Sequence, residues 1–159
     1  MIRVLFICLG NICRSPMAHA VFRDMVEKRG LTDQILVESA GIGNWHVGEP
    51  PHRGTRSILD ENGISYAGIH SRQVTRDELP NFDYVVAMDS ENMKAIKRLG
   101  LAPSNRVFRL LDIVPQSVEK DVPDPYYDGR FDVVYDLVQK GCAKLLRRIE
   151  MDLARSEQS

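Results

Sequence analysis

Apolar residues along the chain switch between two spacings. Ile2 to Ile7 is a short, β-branched, almost wholly apolar run, the pattern of a strand buried on both faces. After Pro16 the apolar positions fall at Ala18, Val21, Phe22, Met25 and Val26, which is helical spacing, and Gly30 closes that element. Ser15-Pro16 reads as the helix start, with Ser as N-cap and Pro at the first helical position, where its missing N–H costs nothing. Ile35 to Val37 is a second short strand ending at Ser39-Ala40-Gly41, and a loop with Trp45, Gly48, Pro50 and Pro51 follows. His52 to Glu61 reads as a second helix ended by Asn62-Gly63, Ile64 to Ser71 fits neither period, and Thr75 to Leu79 reads as one helical turn.

Phe82 to Met88 is a strong third strand, after which Asp89-Ser90 can cap a helix that runs to Leu99 and stops at Gly100. Val107 to Leu111 is a fourth extended piece. Val114 to Tyr127 holds Pro115, Pro123 and Pro125 and reads as a long loop, a length often reserved for function. A last helix sets Val134, Leu137, Val138, Cys142, Leu145, Leu146, Ile149 and Leu153 on one stripe, and a polar tail runs from Arg155 to Ser159.

Strands alternating with helices predict an α/β fold: a three-layer, doubly wound sandwich around a four-stranded parallel sheet of flavodoxin-like order 2-1-3-4, with helices on both faces. One domain is expected over residues 1–154, with 155–159 as its tail. Ligands of such sheets bind beyond the carboxyl ends of the strands, where the loop after Ile7 emerges.

Composition narrows the function classes. The 159 residues carry a formal net charge of −1, with 43% hydrophobic and 27% charged residues. Near-zero charge gives no support for bulk nucleic-acid or membrane binding, and no apolar run approaches the length that spans a bilayer. The N-terminus reads as a strand carrying one Arg, so no signal peptide is expected. Three cysteines, an odd count, argue against a disulfide scaffold and favour a reducing cytoplasm. Neither a zinc site nor another cofactor is expected: Cys8 and Cys13 have the wrong spacing, and no His pair stands at ligand spacing.

The candidate chemistry lies between Cys8 and Arg14. A strand, a tight loop and a helix N-terminus form an anion cradle, because backbone N–H groups converge there and the helix dipole favours negative charge. A buried structural role is the commonest fate of a free Cys. Here the helix start and Arg14 both favour a thiolate at Cys8, which makes it a candidate nucleophile. The guanidinium fork of Arg14 matches two oxygens of a phosphoryl group. Gly10 lets the backbone approach a ligand, and Asn11 can adopt a left-handed conformation.

Cys8-Leu9-Gly10-Asn11-Ile12-Cys13-Arg14-Ser15 resembles the C-x5-R-[ST] signature of the low-molecular-weight protein-tyrosine phosphatases. Ser39-Ala40-Gly41, Trp45, His70-Ser71-Arg72, Met88-Asp89 and Asp124-Pro125-Tyr126-Tyr127 follow in the order that family places similar segments. The resemblance implies metal-independent hydrolysis of phosphotyrosine through a phosphocysteine. In that scheme Cys8 is the nucleophile, Asp124 the general acid and base, and Arg14 with the 9–15 loop the phosphate binder. It further implies that Ser15 assists the sulfur as it leaves, and that Asn11, Ser39 and His70 form a hydrogen-bond network under the loop. Ile12, Trp45, Tyr126 and Tyr127 would wall the cleft, and Cys13 would guard Cys8 by forming a reversible disulfide under oxidation. Cys142 is most simply core.

Phosphotyrosine proteins are the implied partners, with inorganic phosphate and other oxyanions as competitors. A monomer is expected, with weak self-association through Trp45 and the tyrosines left open. Four alternatives stand beside this reading. A protein-arginine phosphatase on the same scaffold carries Thr where Ile12 stands, and bulky Ile favours a phenol. An arsenate reductase needs a relay of further cysteines, and residues 14–141 contain none. A phosphoryl carrier would need neither Arg14 nor a poised acid. A non-catalytic phosphopeptide binder would not need both nucleophile and acid.

Overall fold

A computed structural model describes residues 1–158. The central strand is β1 (Ile2–Cys8), flanked by β2 (Ile35–Gly41) on one side and β3 (Tyr84–Ala87) on the other, with β4 (Val107–Arg109) outermost. All pairings are parallel, and the order is β2-β1-β3-β4. Register sets Cys8 opposite Gly41 and Ile7 opposite Ala87, so three strand ends meet where the cradle loop begins.

The period of β1 sorts its side chains between two cores. Val4, Phe6 and Cys8 join a cluster with Met17, Phe22 and Leu145, under helices α1 (Arg14–Lys28), α2 (Arg53–Glu61) and α5 (Phe131–Gln158). Leu5 and Ile7 join Leu79, Val85, Ala87 and Ile96 on the other face, under helix α3 (Ser90–Arg98). Val4 through Ile7 are all wholly buried, which is why β1 reads as a continuous apolar run. Each such side chain contributes about 1.5–3 kcal/mol of burial. Gly141, inside α5, allows close helix approach: a Cβ there would lie 2.3 Å from Leu110 Cγ.

Several boundaries differ from the sequence expectation. Helix α1 begins at Arg14, Cys13 occupies its N-cap position, and no side chain caps it. Ser15 therefore lies inside the first turn, and Pro16 at the third position still removes an N–H that the helix does not use. A capping side chain would fill the space an anion needs. Strand β4 ends at Arg109, and Leu110–Ile113 turn as a 3₁₀ segment that buries both Leu110 and Leu111. The turn foreseen near Thr75 is a 3₁₀ segment over Arg76–Asn81, its start held by Glu78 Oε2 accepting from Thr75 N at 2.7 Å.

The long loop does not stay irregular to Tyr127: it ends in a four-residue helix, α4 (Pro125–Asp128), with Asp124 as N-cap. Helix α5 continues through Arg155 to Gln158, so the polar tail is helical over those residues, and Ser159 lies outside the described residues. Among the described residues no helix is long and apolar enough to cross a membrane.

Candidate active site

The loop after β1 is tied outward by its carbonyls. Cys8 O accepts from Ile42 N at 3.0 Å, Leu9 O from Gly43 N at 2.8 Å, and Ile12 O from His52 N at 2.7 Å. Gly10 O accepts from Ser71 Oγ at 3.0 Å, and Cys13 O from Thr55 Oγ1 at 3.1 Å. A planar trans peptide points its C=O and the next N–H in opposite directions. Carbonyls fixed outward therefore turn the N–H groups of Leu9, Gly10, Asn11, Cys13 and Arg14 toward the inside of the loop. That is an anion cradle built by exclusion of its acceptors.

Two residues make the turn possible. Asn11 is wholly buried with φ 53°, a left-handed conformation stabilised by its own side chain. Its Nδ2 donates to Ser15 Oγ at 2.8 Å, and its Oδ1 accepts from Arg72 N at 3.0 Å. Gly41 of β2 supports the loop from beneath: a Cβ there would lie 2.9 Å from both Gly10 C and Asn11 N. Gly41→Ala is expected to cost about 1–3 kcal/mol of stability and to weaken inhibition by inorganic phosphate. Chemical denaturation and a phosphate inhibition curve check this, and unchanged values for both would refute it.

Cys8 is buried, and its Sγ lies 3.0 Å from Ser15 Oγ. Because that hydroxyl already accepts from Asn11, its proton is available to the sulfur. Arg14 is only 3% exposed. Its Nη1 donates to Asp89 Oδ2 at 2.6 Å and to Val122 O at 2.9 Å, and its Nη2 stands 3.6 Å from Asp124 Oδ2. Burial works against the guanidinium charge, but Cys8 and the Asp89 hydrogen bond outweigh it, so the Arg14 pKa is raised. Cys13 is the opposite case. Burial, then the nearby Cys8 and Asp124 charges, push its thiol up to about 12, against a smaller opposing pull from Arg14. Two thiols five residues apart thus have different company: Cys8 has a hydroxyl donor, while Cys13 is held protonated.

Asp124 faces this pair from across a cleft of about 390 Å³. Its Oδ1 accepts from Tyr126 N at 3.1 Å, which leaves Oδ2 toward Arg14. Leu9, Ile12, Trp45, His46, Tyr126 and Tyr127 line the walls. Trp45 packs across Gly43, where a Cβ would meet the indole at 2.0 Å. Tyr126 sits among rings, with centroids 5.3 Å from Tyr127, 5.7 Å from His52 and 5.9 Å from His46. Wide aromatic walls over a cationic, anion-binding floor suit a flat group attached to an oxyanion.

Comparison with known proteins places nearly the whole chain in a family. A family model described as low molecular weight phosphotyrosine protein phosphatase matches residues 3–155. The chain belongs to that family. The low molecular weight protein-tyrosine-phosphatase YfkJ of Bacillus subtilis is 51% identical to the phosphatase over 153 residues, which are 96% of this chain and 98% of the relative. The crystal structure of YfkJ superposes with a TM-score of 0.92 and covers 96% of each chain. A Drosophila arginine phosphatase also shares the architecture, at 29% identity and TM-score 0.83, covering 92% of this chain and 96% of its own.

Not every residue foreseen under the loop of the phosphatase is found there. His70 is exposed, and its Nδ1 lies 3.3 Å from Gly68 O rather than near Asn11. The next two residues do the work instead, Ser71 through its hydroxyl and Arg72 through its backbone N–H. Ser39 is buried, but its hydroxyl meets His19 Nδ1 at 2.9 Å and not Asn11. His46 and Val122 belong to the site and were missed, since a loop His and a backbone carbonyl carry no pattern. The sequence offers Asp89 as a helix cap and, within Met88-Asp89, as part of the family resemblance, with no role in the site. Asp89 does cap α3, accepting from Asn92 N at 2.8 Å, and the same carboxylate also holds Arg14.

His19 gives the fold a testable pH dependence. Burial first, then the charges of Arg23 and Arg72, depress its pKa to about 3. The unfolded imidazole binds a proton as pH falls below about 6.5, whereas the folded one does not until near 3. This contribution is therefore flat above pH 6.5 and is lost as pH falls toward 3. His19→Asn is expected to remove roughly 2 kcal/mol of the stability lost between pH 7 and pH 4.5. Urea unfolding at both pH values checks this, and parallel losses in both proteins would refute it.

Proposed function

We propose that the phosphatase hydrolyses phosphotyrosine in proteins, and small aryl phosphates, in two steps through a phosphocysteine. In the first, Cys8 Sγ forms a bond to phosphorus as the P–O bond to the phenol breaks, and Asp124 gives its proton to the departing oxygen. Arg14 and the loop N–H groups of residues 9–15 hold the equatorial oxygens. In the second, Asp124 takes a proton from water while that water bonds to phosphorus and the P–S bond breaks. Ser15 donates to the returning thiolate, and phosphate leaves. The observation that carries this reading is the convergence of three groups on one cleft: Cys8 with its hydroxyl donor, Arg14, and Asp124 with one oxygen 3.6 Å from that guanidinium.

Substrate choice follows from the walls. Ile12, Trp45, Tyr126 and Tyr127 offer apolar and aromatic surface to a phenyl ring, and the bulk of Ile12 favours a phenol over a guanidinium. An arsenate reductase is disfavoured because the one further cysteine beyond Cys13 is Cys142, wholly buried in the core and raised in pKa by that burial. Inorganic phosphate and related oxyanions would compete for the cradle. We assign the activity to one unit spanning residues 1–154, acting on phosphoproteins in a reducing cytoplasm.

Initial rates on phosphotyrosine, phosphoserine and phosphoarginine peptides of one sequence test the assignment. Phosphotyrosine is expected to lead by about 100-fold or more, since a shallow or non-aromatic group leaves the walls unfilled. Equal rates on all three peptides would defeat it, and so would a Cys8→Ser protein with unchanged turnover.

Cys13 has a separate prediction. As a protonated packing thiol it takes no part in the chemistry, so Cys13→Ser should keep kcat/KM within about threefold of wild type. Its proposed second role is protective: after peroxide the Cys8–Cys13 disulfide forms and thiols reverse it. The variant should then lose thiol-reversible recovery, read by assay after dithiothreitol. Recovery equal to wild type would remove the protective role.

A further inference from the structure

The segment that carries Asp124 has little regular structure, yet it is pinned at two adjacent residues. Val122 N donates to Met88 O at 2.8 Å, just past the end of β3, and Val122 O accepts from Arg14 Nη1 at 2.9 Å. Asp121 turns the other way, onto the first residue of α3. Its Oδ1 accepts from Ser90 N and from Ser90 Oγ, both at 2.9 Å. Arg109 Nη1 reaches the same carboxylate oxygen at 3.3 Å and Ser90 Oγ at 2.9 Å. Arg109 is itself steadied by Asp112, whose Oδ1 lies 2.8 Å from Nη2.

The start of α3 thus serves two carboxylates at once. Asp89 caps the helix and holds Arg14, while Asp121 binds the neighbouring backbone N–H and holds the acid-bearing segment. The separation of guanidinium and acid is referred to one rigid piece of helix. An exposed ion pair alone would contribute little. Here one oxygen gathers three donors, one of them a backbone N–H that the helix leaves unpaired. We infer that Asp121, with Ser90 and Arg109, forms a latch that positions Asp124 for proton transfer. Asp121 touches no reacting atom, so it is a positioning residue, and the inference rests on the acid role proposed for Asp124.

The test compares kcat/KM on phenyl phosphate, whose leaving oxygen needs a proton, with 2,4-dinitrophenyl phosphate, whose leaving group departs without one. Misplacing a catalytic group by about 1 Å can cost 10²-fold, and the Val122 ties remain, so Asp121→Ala should lose about tenfold on phenyl phosphate. Its loss on the dinitrophenyl ester should stay below about twofold. In an Asp124→Ala background the same change should alter phenyl phosphate hydrolysis by less than about twofold, because nothing remains to be positioned. Asp121→Asn, whose amide oxygen still accepts from Ser90, should restore most of the loss. Ser90→Ala keeps the backbone N–H and the fold and should move phenyl phosphate in the same direction by about twofold.

Equal losses on the two esters, or a full additional loss in the Asp124→Ala background, would overturn the latch. If Asp124→Ala is impaired on phenyl phosphate while Asp121→Ala and Ser90→Ala are not, the latch alone falls. If Asp124→Ala keeps full phenyl phosphate activity, the acid assignment falls and the latch falls with it.

Discussion

Replacing Asp124 with alanine is expected to lower kcat/KM on phosphotyrosine by about 10²- to 10⁴-fold, the range that a general acid contributes. The geometry explains why the loss should be large. The Tyr126 N–H holds Oδ1 at 3.1 Å, so the carboxyl cannot swing freely, and Oδ2 is presented toward the Arg14 guanidinium at 3.6 Å. A phosphate dianion entering the cradle takes that guanidinium for itself. Oδ2 then faces the bound phosphate, the side on which the proposed scheme uses it as the acid.

Asp124→Asn should be nearly as damaged as Asp124→Ala, because an amide keeps the cap on α4 and has no acidic proton to give. Thermal melting separates this from a folding defect: the Asn variant should melt close to wild type, since Tyr126 N retains an acceptor. Stopped-flow traces on p-nitrophenyl phosphate provide the second check. In the proposed scheme Asp124 expels the phenol as acid and activates water as base, so both phosphorylation and dephosphorylation should slow. An Asp124→Asn protein with more than about a tenth of wild-type kcat/KM on phosphotyrosine would defeat the assignment.

Fold and site were legible in the sequence to different depths. The sheet was readable because β1 and β3 are buried on both faces, which leaves an unbroken apolar run that no surface helix shows. The cradle was readable because its chemistry is local: thiol, glycine, asparagine and guanidinium fall within one loop. What was not legible depends on partners far along the chain. Asp89 lies 75 residues from Arg14, and its short polar side chain before a helix has a sufficient local explanation as a cap. Val122 enters through a carbonyl, which every residue has.

Ser15 was misplaced for a related reason. Ser before Pro is the usual opening of a helix, and here the hydroxyl is drawn away to Cys8 and Asn11, at 3.0 and 2.8 Å. His70 was expected under the loop on the strength of the family resemblance alone, whereas the structure uses the serine beside it. Local rules fail at such places because the site needs a helix start with its N–H groups left open.

Arg14→Lys should be close to inactive, with kcat reduced by about 10³-fold, even though charge is conserved. Arg14 has two tasks, one for each terminal nitrogen. Nη1 is committed to the protein, to Asp89 at 2.6 Å and Val122 O at 2.9 Å, while Nη2 faces the cleft. A guanidinium can do both because its donors are fixed in a fork. An ammonium has one nitrogen, and at the depth of Arg14, which is 3% exposed, it must choose. If it stays with Asp89, the equatorial oxygens lose their clamp. If it moves to phosphate, Asp89 and Val122 O are left without their donor, and the acid-bearing segment loses one of its ties.

Asp89→Asn distinguishes the two tasks. The amide oxygen still accepts from Arg14, so aim is retained while charge is lost, and a drop of about tenfold is expected. The loss in Arg14→Lys should grow as the phosphoryl group becomes more charge-separated in the transition state, so kcat should fall far more than KM rises. A lysine variant with a fifth or more of wild-type kcat would show that positive charge, and not the fork, is what the loop requires.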